Sequence, residues 1–143
     1  MCGIVGYNGK GKNTLCILVD GLKALEYRGY DSAGVAFRED NETRIIKSVG
    51  KICELEKKLN IDTDSSIGIG HTRWATHGVV SEVNSHPHNV GDITIVHNGM
   101  IENFNELKKM LESNGYKFNT TTDTEVACAL IDFYYKDTKD IKN

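Results

Sequence analysis

The sequence predicts an α+β fold, most simply a layered sandwich, from two observations. Segments of two-residue apolar alternation interleave with segments of three- and four-residue apolar spacing. They do so without the regular strand-helix alternation of a doubly wound parallel sheet. The first element is a strand over residues 3–7, a β-rich run ending in the turn-like Asn8-Gly9-Lys10-Gly11. Leu15, Leu18, Val19, Leu22 and Leu25 then form a helical stripe, with Asn13 or Thr14 as N-cap and Gly29 as a stop. Residues 33–37 and 44–49 read as two strands around a polar turn, and Ile52, Leu55 and Leu59 as a short amphipathic helix. Ile67 and Ile69 alternate with glycines before His71, and Ile93, Ile95 and His97 alternate with Thr94 and Val96, which predicts two buried strands. The polar stretch 72–91 between them holds the only Trp and the only Pro and reads as a binding loop or lid. Phe104, Leu107, Met110 and Leu111 mark the next helix, closed by Gly115. One more strand is expected before the last helix, which opens on the capping box Thr122 and Glu125 and carries Val126, Ala129, Leu130, Phe133 and Tyr134; 136–143 reads as a polar tail.

At 143 residues, 39% apolar and 26% charged, the chain suits one ordinary soluble domain. A net charge of -3 from 17 basic and 20 acidic side chains leaves no basic surplus for nucleic acid or an anionic membrane, and neither partner is expected. No apolar run approaches the roughly 20 residues that span a bilayer, and the N-terminus carries no secretion signal. Cys2, Cys16, Cys53 and Cys128 contain no CxxC pair and fit reduced thiols in a cytoplasmic protein. Cys16, Cys53 and Cys128 lie in apolar helical patterns and are expected in the core; Cys2 does not.

Three features could carry chemistry. Gly6-Tyr7-Asn8-Gly9-Lys10-Gly11-Lys12 fits a phosphate loop, but Asn13 stands where a hydroxyl would ligate magnesium, so a strand-end turn is the better reading. All five histidines, His71, His77, His86, His88 and His97, fall within residues 71–97. No zinc spacing is present, and an extended His86-Pro87-His88 would set its imidazoles on opposite sides, so no metal is expected. Cys2 is the third. Trimming of Met1 would leave thiol and α-amine on one residue, and an amine of pKa about 7.7–8.0 can take the thiol proton. A cysteine at position 2 is ordinarily just an early residue, but its neighbours strengthen the case. Gly3 and Gly6 allow close backbone approach to a substrate, and Asn98-Gly99 offers a side-chain amide and an unhindered N–H for an oxyanion, although Asn-Gly is also a common turn. Arg73 could grip an α-carboxylate bidentately and Asp123 could hold an α-ammonium.

The blocks around these residues are Met1-Cys2-Gly3-Ile4-Val5-Gly6-Tyr7, Leu25-Glu26-Tyr27-Arg28-Gly29-Tyr30-Asp31-Ser32-Ala33-Gly34, Gly70-His71-Thr72-Arg73-Trp74-Ala75-Thr76-His77-Gly78, His86-Pro87-His88, His97-Asn98-Gly99-Met100-Ile101-Glu102-Asn103 and Thr122-Asp123-Thr124-Glu125. Together they resemble the glutaminase domain of the glutamine–fructose-6-phosphate aminotransferase (isomerizing) family, the glucosamine-6-phosphate synthases, among class II glutamine amidotransferases. The resemblance implies an N-terminal-nucleophile hydrolase with a four-layer α/β/β/α sandwich and no cofactor. It implies that Cys2 attacks the amide of L-glutamine with its own α-amine as base, and that Asn98 and the Gly99 N–H hold the oxyanion. Arg73 would bind the α-carboxylate, and Asp123 with the backbone near Gly99 the α-amine. Trp74, Thr76 and His77 belong to a loop that closes over glutamine, and Arg28 and Gly29 support the nucleophile. Hydrolysis of the thioester would release glutamate and ammonia for glucosamine 6-phosphate synthesis. The family's glutaminase domain is longer than this chain, and the sugar isomerase domains that carry fructose 6-phosphate are missing. Residues 1–143 are therefore expected to form a partial domain with open sheet edges, able to associate into a homo-oligomer. The alternative is a non-catalytic folded fragment with a binding or regulatory role.

Overall fold

In the computed structural model, which describes residues 1–10, 13–59, 63–74 and 79–139, the chain builds two antiparallel sheets and four α-helices. Strands β2 (Ser32–Glu39) and β3 (Glu42–Val49) form a hairpin whose two-residue turn, Asp40-Asn41, has φ of 48° and 67°. Positive φ at both turn residues matches the right-handed twist of the flanking strands. On the other side of β2 lies β4 (Ile67–Arg73), which also pairs with β1 (Gly3–Asn8), giving the order β1-β4-β2-β3. The second sheet is the short pair β5 (His88–Val90) and β6 (Ile93–Ile95).

Strand alternation divides the larger sheet into two faces. Ala33, Val35 and Phe37 of β2 point to one of them and join Leu15, Leu18, Val19 and Leu22 of α1 (Thr14–Leu25) and Ile52 and Leu55 of α2 (Ile52–Lys58) in the main core. The register puts Ile4 and Gly6 of β1, Ile69, His71 and Arg73 of β4, and Ser32, Gly34 and Ala36 of β2 on the other face. There the second sheet approaches closely. A Cβ on Gly34 would sit 2.2 Å from the His86 carbonyl oxygen, so only glycine admits the segment leading into β5 at this height. The His71 and His86 rings stack at 4.1 Å across the gap, and His88 meets His86 edge-on at 4.7 Å.

The outer side of β5 and β6 is closed by α4 (Asp123–Thr138), whose Cys128 thiol donates to the Ile93 carbonyl at 3.3 Å. Val126 and Ala129 of α4 pack with Leu111 of α3 (Phe104–Ser113) in a second core. The layers therefore run helix, sheet, sheet, helix. The small second sheet leaves part of the inner face uncovered, where Ile4 is 42% and Ile67 43% exposed.

Several expectations change. No described residue between α3 and α4 is in a strand. Tyr116 and Phe118 cover the second core there, and the Glu125 carboxylate takes the Asn119 and Thr120 N–H groups at 3.0 and 2.8 Å. Thr122 caps α4 by accepting from the Glu125 N–H at 3.3 Å, while Glu125 turns to that loop instead of completing the capping box. The stretch 72–91 begins inside β4 and contains β5, β6 stops before His97, and α4 continues to Thr138. The His86–Pro87 peptide is cis and the two histidine rings touch, instead of pointing apart. Cys16 and Cys53 are exposed, because neighbouring positions supply the inward stripes of α1 and α2; Cys128 alone of the three is buried, and burial pushes its thiol up to about 12.

Burial also pushes His71 down to about 4, His88 to about 3 and His86 lower still, so the inter-sheet histidines are neutral near pH 7. Unfolded histidine titrates near 6.5, so the unfolded chain binds more protons below that pH. The stability due to neutral burial is complete above about pH 6.5 and is lost as pH falls towards about 4, by up to about 1.4 kcal/mol per pH unit for each such histidine. Urea midpoints between pH 7 and pH 4 should fall accordingly; a flat profile would contradict neutral burial.

Candidate active site

Antiparallel pairing of β1 with β4, with Gly3 opposite Thr72, sets the start of the first strand beside the end of the fourth. Cys2 thus arrives next to Arg73 and Trp74. The Trp74 N–H donates to Cys2 Sγ at 3.2 Å, and the Gly3 N–H donates to Thr72 Oγ1 at 3.0 Å. A Cβ on Gly3 would meet Leu25 at 2.9 Å, so this glycine makes room for α1 and not for a substrate; Gly6 lies farther along the uncovered face. The Met1 ammonium donates to the Arg28 carbonyl at 2.7 Å, so while Met1 is attached the nitrogen of Cys2 is a peptide nitrogen.

These residues edge a cleft of about 610 Å³ that also contains Asn98, Gly99, Met100, His97 and Asp123. Arg73 is 5% exposed, and its Nη1 donates to the Val79 carbonyl at 3.4 Å. The same carbonyl accepts from Asn84 Nδ2 at 2.9 Å, and Asn84 also accepts from the Thr121 N–H at 3.1 Å, tying the end of the polar stretch to the approach of α4. Trp74 is 51% exposed and lies against Gly29, where a Cβ would come within 2.2 Å of the indole. Gly29 has φ of 106°, so backbone conformation and space both exclude a side chain.

Asn98 and Gly99 follow β6, and Asn98 Oδ1 lies 2.7 Å from His71 Nε2. Asp123, the first residue of α4, accepts from the Ile101 N–H at 2.8 Å, which fixes its carboxylate at the positive end of the helix. The structure therefore brings Cys2, Arg28, Arg73, Trp74, Asn98, Gly99 and Asp123 to one cleft, with Gly29 behind Trp74. Thr76 and His77 lie outside the described residues. His71, His86 and Thr124 are neighbours that motif reading did not assign; the clustering of histidines in sequence was the available signal. A larger cleft of about 930 Å³ lies near Asn41, Thr63 and Asp64, away from these groups. Among the described residues no three His, Cys, Asp or Glu side chains are grouped to hold a metal ion.

A family model described as a glutamine amidotransferase domain matches residues 56–140. The chain belongs to the glutamine amidotransferase family. A glutamine–fructose-6-phosphate aminotransferase [isomerizing] of Clostridium tetani is 60% identical over 139 residues, covering 95% of this chain and 23% of the relative. The protein of the same name from Pyrococcus horikoshii is 54% identical over 135 residues, covering 92% of this chain and 22% of that protein. This amidotransferase chain thus spans under a quarter of the length of the curated relatives it matches. Among solved structures, glutamine phosphoribosylpyrophosphate amidotransferase from B. subtilis superposes with a TM-score of 0.75 at 28% identity, over 92% of this chain and 29% of that one. A structure described as the allosteric regulatory enzyme of purine biosynthesis superposes with a TM-score of 0.79 at 29% identity, with the same coverage. The fold of this amidotransferase is the α/β/β/α sandwich of N-terminal-nucleophile hydrolases.

The single tryptophan makes the Gly29 contact measurable. Gly29→Ala should lower stability by about 1–3 kcal/mol, because its positive φ with an extended ψ of 149° is open essentially to glycine alone, and displace Trp74, raising acrylamide quenching of the intrinsic fluorescence. Unchanged quenching would remove the packing role assigned to Gly29.

Proposed function

We propose that residues 1–143 are part of a glutaminase domain that hydrolyses L-glutamine to glutamate and ammonia. In a full-length enzyme a sugar isomerase domain would use the ammonia to make glucosamine 6-phosphate from fructose 6-phosphate, a cytoplasmic step of hexosamine synthesis. The observation that carries this reading is Cys2 Sγ at the rim of a cleft containing a buried arginine, an Asn-Gly pair and an aspartate held at a helix start.

Removal of Met1 converts the Cys2 nitrogen to an α-amine beside its thiol. The amine takes the thiol proton, Sγ bonds to the glutamine δ-carbonyl carbon, and the carbonyl oxygen becomes an oxyanion. Asn98 Nδ2 and the Gly99 N–H donate to that oxygen, stabilising charge that exists only after attack. Collapse of the tetrahedral intermediate breaks the C–N bond; the α-ammonium returns its proton to the leaving nitrogen, and ammonia departs. Water, deprotonated by the same amine, attacks the thioester, and glutamate leaves as the thiol is restored. Arg73 pairs with the substrate carboxylate and Asp123 with its ammonium. Trp74, Thr76 and His77 would belong to a loop that closes over the substrate, and Arg28 and Gly29 would support the nucleophile.

Glutamate release from glutamine should fall at least a thousandfold in Cys2→Ala, and activity surviving that change would overturn the reading. Arg73→Ala should raise KM for glutamine about tenfold to a hundredfold, as expected for losing a charged hydrogen bond of roughly 1.5–3 kcal/mol. An unchanged KM would place the carboxylate elsewhere.

A further inference from the structure

We propose that His71 is a positioning residue that sets which way the Asn98 carboxamide points, keeping its NH₂ group on the cleft side. This rests on the reading of Asn98 as an oxyanion donor and adds the group that orients it.

His71 projects from the inner face of β4 and is 1% exposed. Its Nε2 lies 2.7 Å from Asn98 Oδ1 and 3.1 Å from the His97 carbonyl oxygen. A backbone carbonyl can only accept, so Nε2 must carry the ring proton. With that tautomer set, the Asn98 atom facing the ring must also be an acceptor. A carboxamide turned the other way would bring NH₂ against an N–H and leave the buried donors opposed. The oxygen therefore faces His71, which leaves Nδ2 as the donor that this side chain can offer to the cleft it lines with Cys2.

Two features hold the ring in this role. The His86 imidazole stacks on it at 4.1 Å with planes 16° apart, which limits rotation. Burial holds its pKa at about 4, so near neutral pH it carries one ring proton and not two. Nδ1 is buried with no hydrogen-bond partner among the described residues. An unpaired acceptor of this kind is unfavourable. The opposite tautomer would strand a lone pair against two oxygens, so Nε2–H remains the better arrangement.

The test combines a measurement independent of turnover with a kinetic one. Long-range ¹H–¹⁵N spectra of the full chain at pH 7 should show His71 with a protonated Nε2 and a bare Nδ1; the reverse tautomer would overturn the proposal. In glutamine hydrolysis, His71→Leu should lower kcat about tenfold to a hundredfold with KM within about twofold, since orientation towards the oxyanion is lost and not substrate binding. His71→Gln, which places an N–H donor near the Nε2 position, should recover most of that loss. In an Asn98→Ala background His71→Leu should have no further effect; an equal loss there would overturn the proposal, as would an unchanged kcat in His71→Leu alone. If the wild-type chain releases no glutamate, the glutaminase reading fails while the tautomer result still decides the orientation. If His71→Leu does not fold, the Gln variant and the spectra decide.

Discussion

Antiparallel pairing between β1 and β4 joins residues as much as 69 positions apart, Gly3 with Thr72, and is the constraint on which the cleft depends. Because side chains alternate between sheet faces, the register that sets Gly3 opposite Thr72 also decides that Val5 enters the helix-covered core while His71 and Arg73 face the second sheet. A slip of one residue would turn one strand over relative to the other, either burying Arg73 against α1 or turning Val5 away from it. The apolar packing of α1 thus opposes any register that would misplace the nucleophile. The main core, far from the chemistry, secures the site through the parity of two strands.

The inter-sheet layer adds a second level of constraint. An apolar interface would bury more hydrophobic area, yet three neutral imidazoles occupy it, with Lys47 close enough to depress His88 electrostatically. Hydrogen bonds give this layer direction that apolar packing lacks. His71 reaches Asn98, His86 Nδ1 accepts from the His97 N–H at 3.4 Å, and His88 Nε2 lies 3.2 Å from Thr122 Oγ1 at the start of α4. Each bond links the sheet packing to an element that lines the cleft. Burial keeps the rings neutral, which allows three potential cations to lie together beside Arg73.

The cleft was largely legible in the sequence because its groups sit in short contiguous blocks. Cys2, Arg73 and Asp123 stand at the end of a strand or the start of a helix, and Asn98 and Gly99 follow β6 within four residues. What escaped the sequence depends on contacts between distant segments. Nothing near His71 signals that it meets a carboxamide 27 positions away. The three residues of β5 are too few for their alternation to stand out beside a proline. Cys16 and Cys53 show how a helical spacing identifies a stripe while leaving its flanks undecided.

The uncovered part of the inner face separates two requirements that an active site usually meets together. The hydrogen bonds that orient the cleft, from Trp74 to Cys2, from His71 to Asn98 and from Ile101 to Asp123, all join described residues of this chain. They concern the end of the sandwich where β1 begins and β4 finishes. On this face Ile67, at the opposite end of β4, is left in water, and so is Ile4, which lies on the outer strand β1 opposite His71. Covering them would add hydrophobic stabilisation of about 25 cal/mol per Å² of apolar surface removed from water without adding a partner to any of those three bonds. Geometry at the cleft is therefore a local property of this chain. What additional contacts over the open face would supply is a lower population of the unfolded state, and with it a larger fraction of molecules holding that geometry.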